Sequence, residues 1–299
     1  MLIPPKIHLA TVLVLAGCLA AGGPSDDTRK KALEAKVRQI MVGKIATLQQ
    51  FYKASDLQFD GEGNPLEPGK TGPWTYYGRV EVESVKFEGD DLVIKGQRSV
   101  AKWDPAANEF RNYSLKDSPV RINLHAQAGI TEEELARALD RVFQPRNVKL
   151  SDLVPGYWKE LLTTERQRRA EWEKQTMELM RSVTTVDAEV SLPKLLSSAN
   201  GLQTSQAAYK ELRENQSSFS FVVDENGEVK NVQIEKPIGL GIDDPVAELI
   251  ERWKYEPARK NGHPVAVLMH ARFTYFHRDG QIDPYHTMPC PGIDNFYQC

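Results

Sequence analysis

The side chains with the most chemistry to offer are three cysteines and six histidines in 299 residues. Cys18 closes the tetrapeptide Leu15-Ala16-Gly17-Cys18, behind Lys6 and an apolar run at residues 7–15. A charged start, a short apolar core and small residues before a cut site make a secretory signal rather than part of a fold. Cys290 and Cys299 both lie in the last ten residues. In an oxidising compartment two nearby cysteines usually pair, and Pro289, Pro291 and Gly292 suit a small stapled loop. The rival arrangement is a metal site made by His277, His286, Cys290 and Cys299. Its donor types are suitable, but its spacing is not that of a zinc module, so no metal is expected. Glu81 and Glu83 share one face of an alternating segment, and that alternation predicts a solvated face rather than a pair of catalytic carboxylates. There is no Gly-rich phosphate loop and no Ser/His/Asp signature, so the expectation is no catalytic residue and no cofactor.

The apolar run is far shorter than the roughly 20 residues of a spanning helix. The tetrapeptide resembles the lipobox of bacterial lipoproteins. That resemblance implies that Cys18 becomes the acylated first residue of a chain tethered to a bacterial membrane in the periplasm, with the leaflet open. Residues 1–17 then form the signal and 18–28 a lipidated tether. An ordinary signal cut near Ala20-Ala21-Gly22 and an uncleaved anchor stay open as alternatives. Net charge is −3, and the one positive run, Arg166 to Arg169, is interleaved with Glu165, Glu171 and Glu173. A mildly acidic chain without a basic cluster argues against a nucleic-acid partner.

These groups need elements to hold them. Residues 29–54 begin as a helix, because Ala32, Leu33, Val37, Ile40, Met41, Ile45 and Leu48 recur at helical spacing. Residues 57–73 are rich in Gly and Pro turn signals. From Tyr77 the period becomes two, and turns near Gly89 and Asn108 divide an antiparallel β-meander of four to six strands. Thr131 with Glu134 makes a capping box ahead of a helix striped by Leu135, Leu139, Val142 and Phe143. A longer helix opens at Asp152 or Pro155, with Trp158, Leu161, Leu162, Trp172, Met177 and Met180 on its inner side. Residues 29–182 thus read as a helix and β-meander domain of unrecognised family, and 183–217 as a connector with a short helix.

The pattern sharpens over residues 218–277. A strand from Ser218 meets the turn Asp224-Glu225-Asn226-Gly227, and a second strand returns to Glu235. Asp244 is expected to cap a helix with Pro245 at its first position and Trp253 packed inward. Asn261-Gly262 turns the chain into a long final strand over residues 265–276. Val223-Asp224-Glu225-Asn226-Gly227-Glu228-Val229, Gly239-x-Gly241-Ile242-Asp243, Trp253-Lys254-Tyr255-Glu256-Pro257-Ala258 and Asn261-Gly262-x-Pro264-Val265 occur in this order. Together they resemble the C-terminal domain of TonB-family proteins, from about residue 190. Asn226, Gly227, Trp253, Pro257, Asn261 and Gly262 are expected to be structural.

The resemblance implies binding of an extended peptide from an envelope protein or receptor, added as a strand to an exposed sheet edge. An unpaired strand offers a row of N–H and C=O groups for that purpose. The expected edge comprises Val267, Met269, His270, Ala271, Arg272, Phe273 and Tyr275. His270 and Arg272 should face one way and Met269, Ala271 and Phe273 the other. Two features depart from an energy transducer: the cleavable signal, and a folded middle in place of a long Pro-rich spacer. Residues 278–299, if folded back through the Cys290–Cys299 loop, would cap the edge. The expected fold is α+β in two domains, and the expected function is a membrane-tethered periplasmic binding module rather than an enzyme. An atypical TonB-type transducer in transport across the outer membrane is the alternative, and oligomeric state is open.

Overall fold

The computed structural model describes residues 25–145, 148–162, 183–184, 189–197, 215–278 and 281–291. Cys18, Cys299, Trp172, Met177, Met180 and the short connector helix expected near Ala207 lie outside the described residues. The chain divides into two compact units, residues 1–153 and 154–299.

The first unit opens with α1, Asp26–Met41, which buries Leu33, Val37, Ile40 and Met41 along one stripe. Asp26 and Asp27 sit in its first turn and Arg38 in its last, each matching the helix dipole. Then follow β1 Ile45–Thr47, β2 Asp56–Phe59, α2 Trp74–Tyr77, β3 Arg79–Glu88, β4 Asp91–Asp104, β5 Glu109–His125, α3 Glu132–Val142 and α4 Leu150–Leu153. The five strands form one sheet in the order β1-β3-β4-β5-β2. The meander is the β3-β4-β5 part; β2 joins β5 in parallel, from Asp56 opposite Arg121 to Phe59 opposite Leu124. The capping box at the start of α3 forms as expected, and Leu135, Ala138, Leu139 and Val142 are buried. These residues and the α1 stripe share one apolar cluster with Val80, Val82, Leu92, Ile94, Ile122 and Leu124 of the sheet. Glu83 sits at a register shift between Val82 and Ser84, so it does not pair in step with Glu81. A buried cation, Arg98, donates to the carbonyls of Tyr52, Ala54 and Tyr77 at 2.7–2.8 Å.

The second unit begins with a 3-10 turn at Gly156–Trp158 and α5 Lys159–Leu162. The sequence boundary at residue 182 is therefore displaced: the short helices after Val154 belong with the C-terminal unit. Beyond them come β6 Val190–Ser191, β7 Lys194–Ser197, β8 Asn215–Val223, β9 Val229–Lys236, α6 Asp243–Glu251, β10 Lys254–Glu256, β11 Ala258–Lys260, β12 His263–Val265, β13 Val267–Arg278 and β14 Gln281–Pro291. The main sheet has the order β14-β13-β8-β9. Alternate residues of β8 and β13 turn inward: Phe219, Phe221 and Val223, then Val267, Met269, Ala271 and Phe273, all buried. Val246, Ala247 and Ile250 of α6 and the indole of Trp253 are also buried. Trp253 meets Phe221 edge-on with ring centroids 5.9 Å apart and lies 6.0 Å from Phe273. Edge-on aromatic pairs add roughly 0.5–1.5 kcal/mol beyond the area they bury.

Candidate partner-binding site

The β8–β9 connection is built by local chemistry. Asp224 Oδ1 accepts from the N–H of Asn226 and of Glu228, both at 2.9 Å. Gly227 N donates to Asp224 O at 2.9 Å and Gly227 takes φ +78°. Asn226 has no positive φ, so the left-handed position falls to glycine alone. A Cβ on Gly227 would lie 1.9 Å from the Tyr255 carbonyl oxygen, a second reason for glycine there. The same residue accepts from Tyr255 N through its own carbonyl, at 2.9 Å. The turn is thereby pinned to the segment after α6, beside Pro257. Asn261 and Gly262 both have positive φ, as a tight β11–β12 hairpin requires.

The start of α6 differs from the expectation. The helix begins at Asp243, and Pro245 is its third residue rather than its first. Asp243, fully buried, accepts from Ile238 N at 2.9 Å and from Gly239 N at 2.6 Å. Desolvation pushes its carboxyl up to about 7, against the pull of those two N–H groups. Asp244 is not a cap. Its Oδ1 accepts from Trp158 Nε1 at 3.1 Å and from Tyr157 Oη at 3.3 Å. Burial pushes the Asp244 carboxyl up to about 6, with Trp158 and Tyr157 opposing. Burial and the adjacent Asp244 also hold the Tyr157 hydroxyl far above its usual range. These four residues were missed as a group, because the partners are 86 and 87 positions apart and only the adjacent aromatics and adjacent aspartates were visible.

The expected edge lies on β13, and its faces divide as alternation predicts. Met269, Ala271 and Phe273 are buried, while His270 and Arg272 are only half-buried on the opposite face. His270 Nδ1 lies 3.0 Å from Glu235 Oε1, across the intervening β8. One side of β13 pairs with β8, from Val267 opposite Val223 to Tyr275 opposite Asn215. The other side is not open. It pairs with β14, from Met269 opposite Pro291 to Arg278 opposite Gln281. The expectation of a bare edge at Val267, Met269, His270, Ala271, Arg272, Phe273 and Tyr275 is corrected accordingly. A row of unpaired N–H and C=O groups is a liability, and the following segment of the chain satisfies it. Cys290 stands opposite His270 in that ladder. Among the described residues, no cluster of His, Cys, Asp and Glu is arranged to hold a metal ion.

Residues 205–276 match the family model of the Gram-negative bacterial TonB protein C-terminal domain. The chain carries a TonB-family C-terminal domain. A solution NMR structure of the Pseudomonas aeruginosa TonB C-terminal domain is similar at 19% identity, covering 29% of this chain and 86% of that one, with a TM-score of 0.23. No curated protein matches the chain. The TonB match ends at residue 276, before β14, and starts after the Tyr157–Trp158 clamp on Asp244. Both features lie outside the matched residues. TonB-type domains are energy-transducing or interaction modules of the cell envelope, and they engage envelope proteins and receptors. Among the described residues, no helix is long and apolar enough to cross a membrane.

Proposed function

We propose that this protein is a membrane-tethered periplasmic binding module whose TonB domain takes up an extended segment of an envelope partner by strand addition on β13. The observation that carries the reading is the outer side of β13. Its backbone sustains a ladder with β14 from Met269 to Arg278, so the same N–H and C=O groups would serve a partner strand in place of β14. Main-chain hydrogen bonds of that kind supply affinity whatever the partner's side chains. The tether is assigned to Cys18 by the lipobox-like Leu15-Ala16-Gly17-Cys18. No catalytic role is assigned to any residue.

Proline at Ala271 is a poor test, because Ala271 is buried and pairs with Phe219 of β8, so it would strike the core ladder. A photo-crosslinker at Leu268, His270 or Arg272, irradiated in the native membrane, is cleaner. Adducts mapping to one short segment of an envelope protein are expected; adducts only from control positions such as Lys86 in the first unit would overturn the site. The tether is read by intact mass of the membrane-extracted protein. A chain starting at an acylated Cys18, lost in Cys18→Ala, is expected. A retained, unacylated Met1 would instead favour a motor-coupled transducer.

A further inference from the structure

We propose that β14 is a built-in occupant of the partner-binding edge: the strand Gln281–Pro291 must leave β13 before a partner segment can pair there. The inference rests on strand addition at β13. The ladder of β14 covers Met269 to Arg278, the same backbone groups that a partner would use. An N–H or C=O that completes one ladder is not free to complete another, so the two occupants exclude each other.

The composition of β14 suits a strand that leaves. Pro284, Pro289 and Pro291 stand among its eleven residues. A proline donates nothing to a ladder, and prolines are confined to edge strands, first positions or bulges. The ladder also slips: Arg272 faces Thr287, yet His270 faces Cys290, so β14 bulges beside Ala271. By contrast β8, Asn215–Val223, holds no proline and is paired on both sides, to β13 and β9. Of the strands beside β13, β14 is the one with a single neighbour, and its ladder to β13 slips where that of β8 to β13 stays in register. Those prolines also make the outer side of β14 a poor template for a further strand. The covered sheet is therefore protected from casual strand pairing, and the uncovered one is not.

Connection sets the strength of the cover. Only two residues separate β13 from β14, so the strand meets its site at an effective concentration on the order of millimolar or above. Where the covered form holds about 99% of molecules, a partner's apparent affinity falls about 100-fold. Release of the tail then acts as the control on binding.

The test uses a fluorescent peptide with the sequence of residues 281–291, Cys290 replaced by Ser, and reads its anisotropy. It is titrated against the full chain, a chain ended after Arg278, and the chain carrying His270→Cys and Cys299→Ser. In the last, the new thiol stands opposite Cys290, and ladder partners lie within disulfide reach. The shortened chain should bind the peptide at least tenfold more tightly than the full chain. The oxidised His270→Cys chain should bind least, and reduction should restore the full-chain value. Equal binding by shortened and full chains overturns the cover and leaves strand addition standing. No binding by a shortened chain that keeps its circular dichroism overturns strand addition on β13 itself. If shortening unfolds the unit, the oxidised and reduced forms decide: equal binding overturns the cover.

Discussion

Replacing Trp158 by Phe tests the clamp on Asp244, because the damage should depend on pH. Trp158 is fully buried and its indole N–H donates to Asp244 Oδ1 at 3.1 Å. Asp244 Oδ2 has no hydrogen-bond partner among the described residues, so Trp158 and Tyr157 provide the side-chain hydrogen bonds that offset its burial. Burial raises its folded pKa to about 6, about two units above the ordinary aspartate value. A raised carboxyl pKa means that the folded state holds the proton more tightly. Its stability contribution is complete below the unfolded value and is lost as pH rises through the folded one. At about 1.4 kcal/mol per pKa unit, that loss is about 3 kcal/mol. Trp158 limits it by stabilising the ionised form. Without the indole N–H the folded pKa climbs further and the loss grows. A hydrogen bond to a charged group is worth about 1.5–3 kcal/mol and one to a neutral group about 0.5–1.5 kcal/mol. The variant should therefore cost about 1–2 kcal/mol more at pH 8 than at pH 5, on top of a packing loss equal at both. Urea unfolding of the C-terminal unit at the two pH values measures this. Asp243 titrates close by, near 7, so each variant is compared with the parent at the same pH. An equal cost at both pH values would refute the clamp, leaving packing as all that Trp158 contributes.

Three further outcomes are expected. Gly227→Ala meets both a positive φ and the Tyr255 carbonyl, so it should cost about 2–4 kcal/mol in urea unfolding, whereas Gly89→Ala, with open space around it, should cost about 1 kcal/mol. Arg98→Met leaves three carbonyls without their donor and should destabilise the first unit by about 3 kcal/mol, read as a lowered unfolding midpoint with m unchanged. Thr131→Ala removes half of the α3 capping box and should cost about 1 kcal/mol, visible as faster hydrogen exchange in the first turn of α3.

Much of this architecture was legible locally. The α1 stripe, the Thr131–Glu134 box, the Asp224–Gly227 turn and the alternation of β13 each depend on residues within about two turns or one hairpin of one another. The ordered motifs from Val223 to Val265 carried the resemblance to the TonB domain. One local signal was passed over: Asp279-Gly280, a pair favoured in tight hairpins, lies between β13 and β14. The three prolines of β14 hid it, since proline argues against a strand.

By itself the sequence determined the type of the strongly patterned segments, α1, β3, β4, α3 and the strands and turns from Ser218 to Val265, but not where α1 stops: Ile45 and Leu48 keep helical spacing yet lie beyond it, Ile45 in β1. It also grouped Met269, Ala271 and Phe273 on one face of β13, and the structure buries that face. Only the tertiary structure decided what each element lies against. β2 runs parallel to β5, Arg98 is held by three distant carbonyls, Asp244 meets aromatics 86 and 87 residues away, and β14 lies paired along the outer side of β13. The reason is physical. Periodicity and turn chemistry act within a few residues and set an element's type and inward face. Pairing depends on which backbone and buried polar groups would otherwise go without a partner, and that is a property of the folded whole.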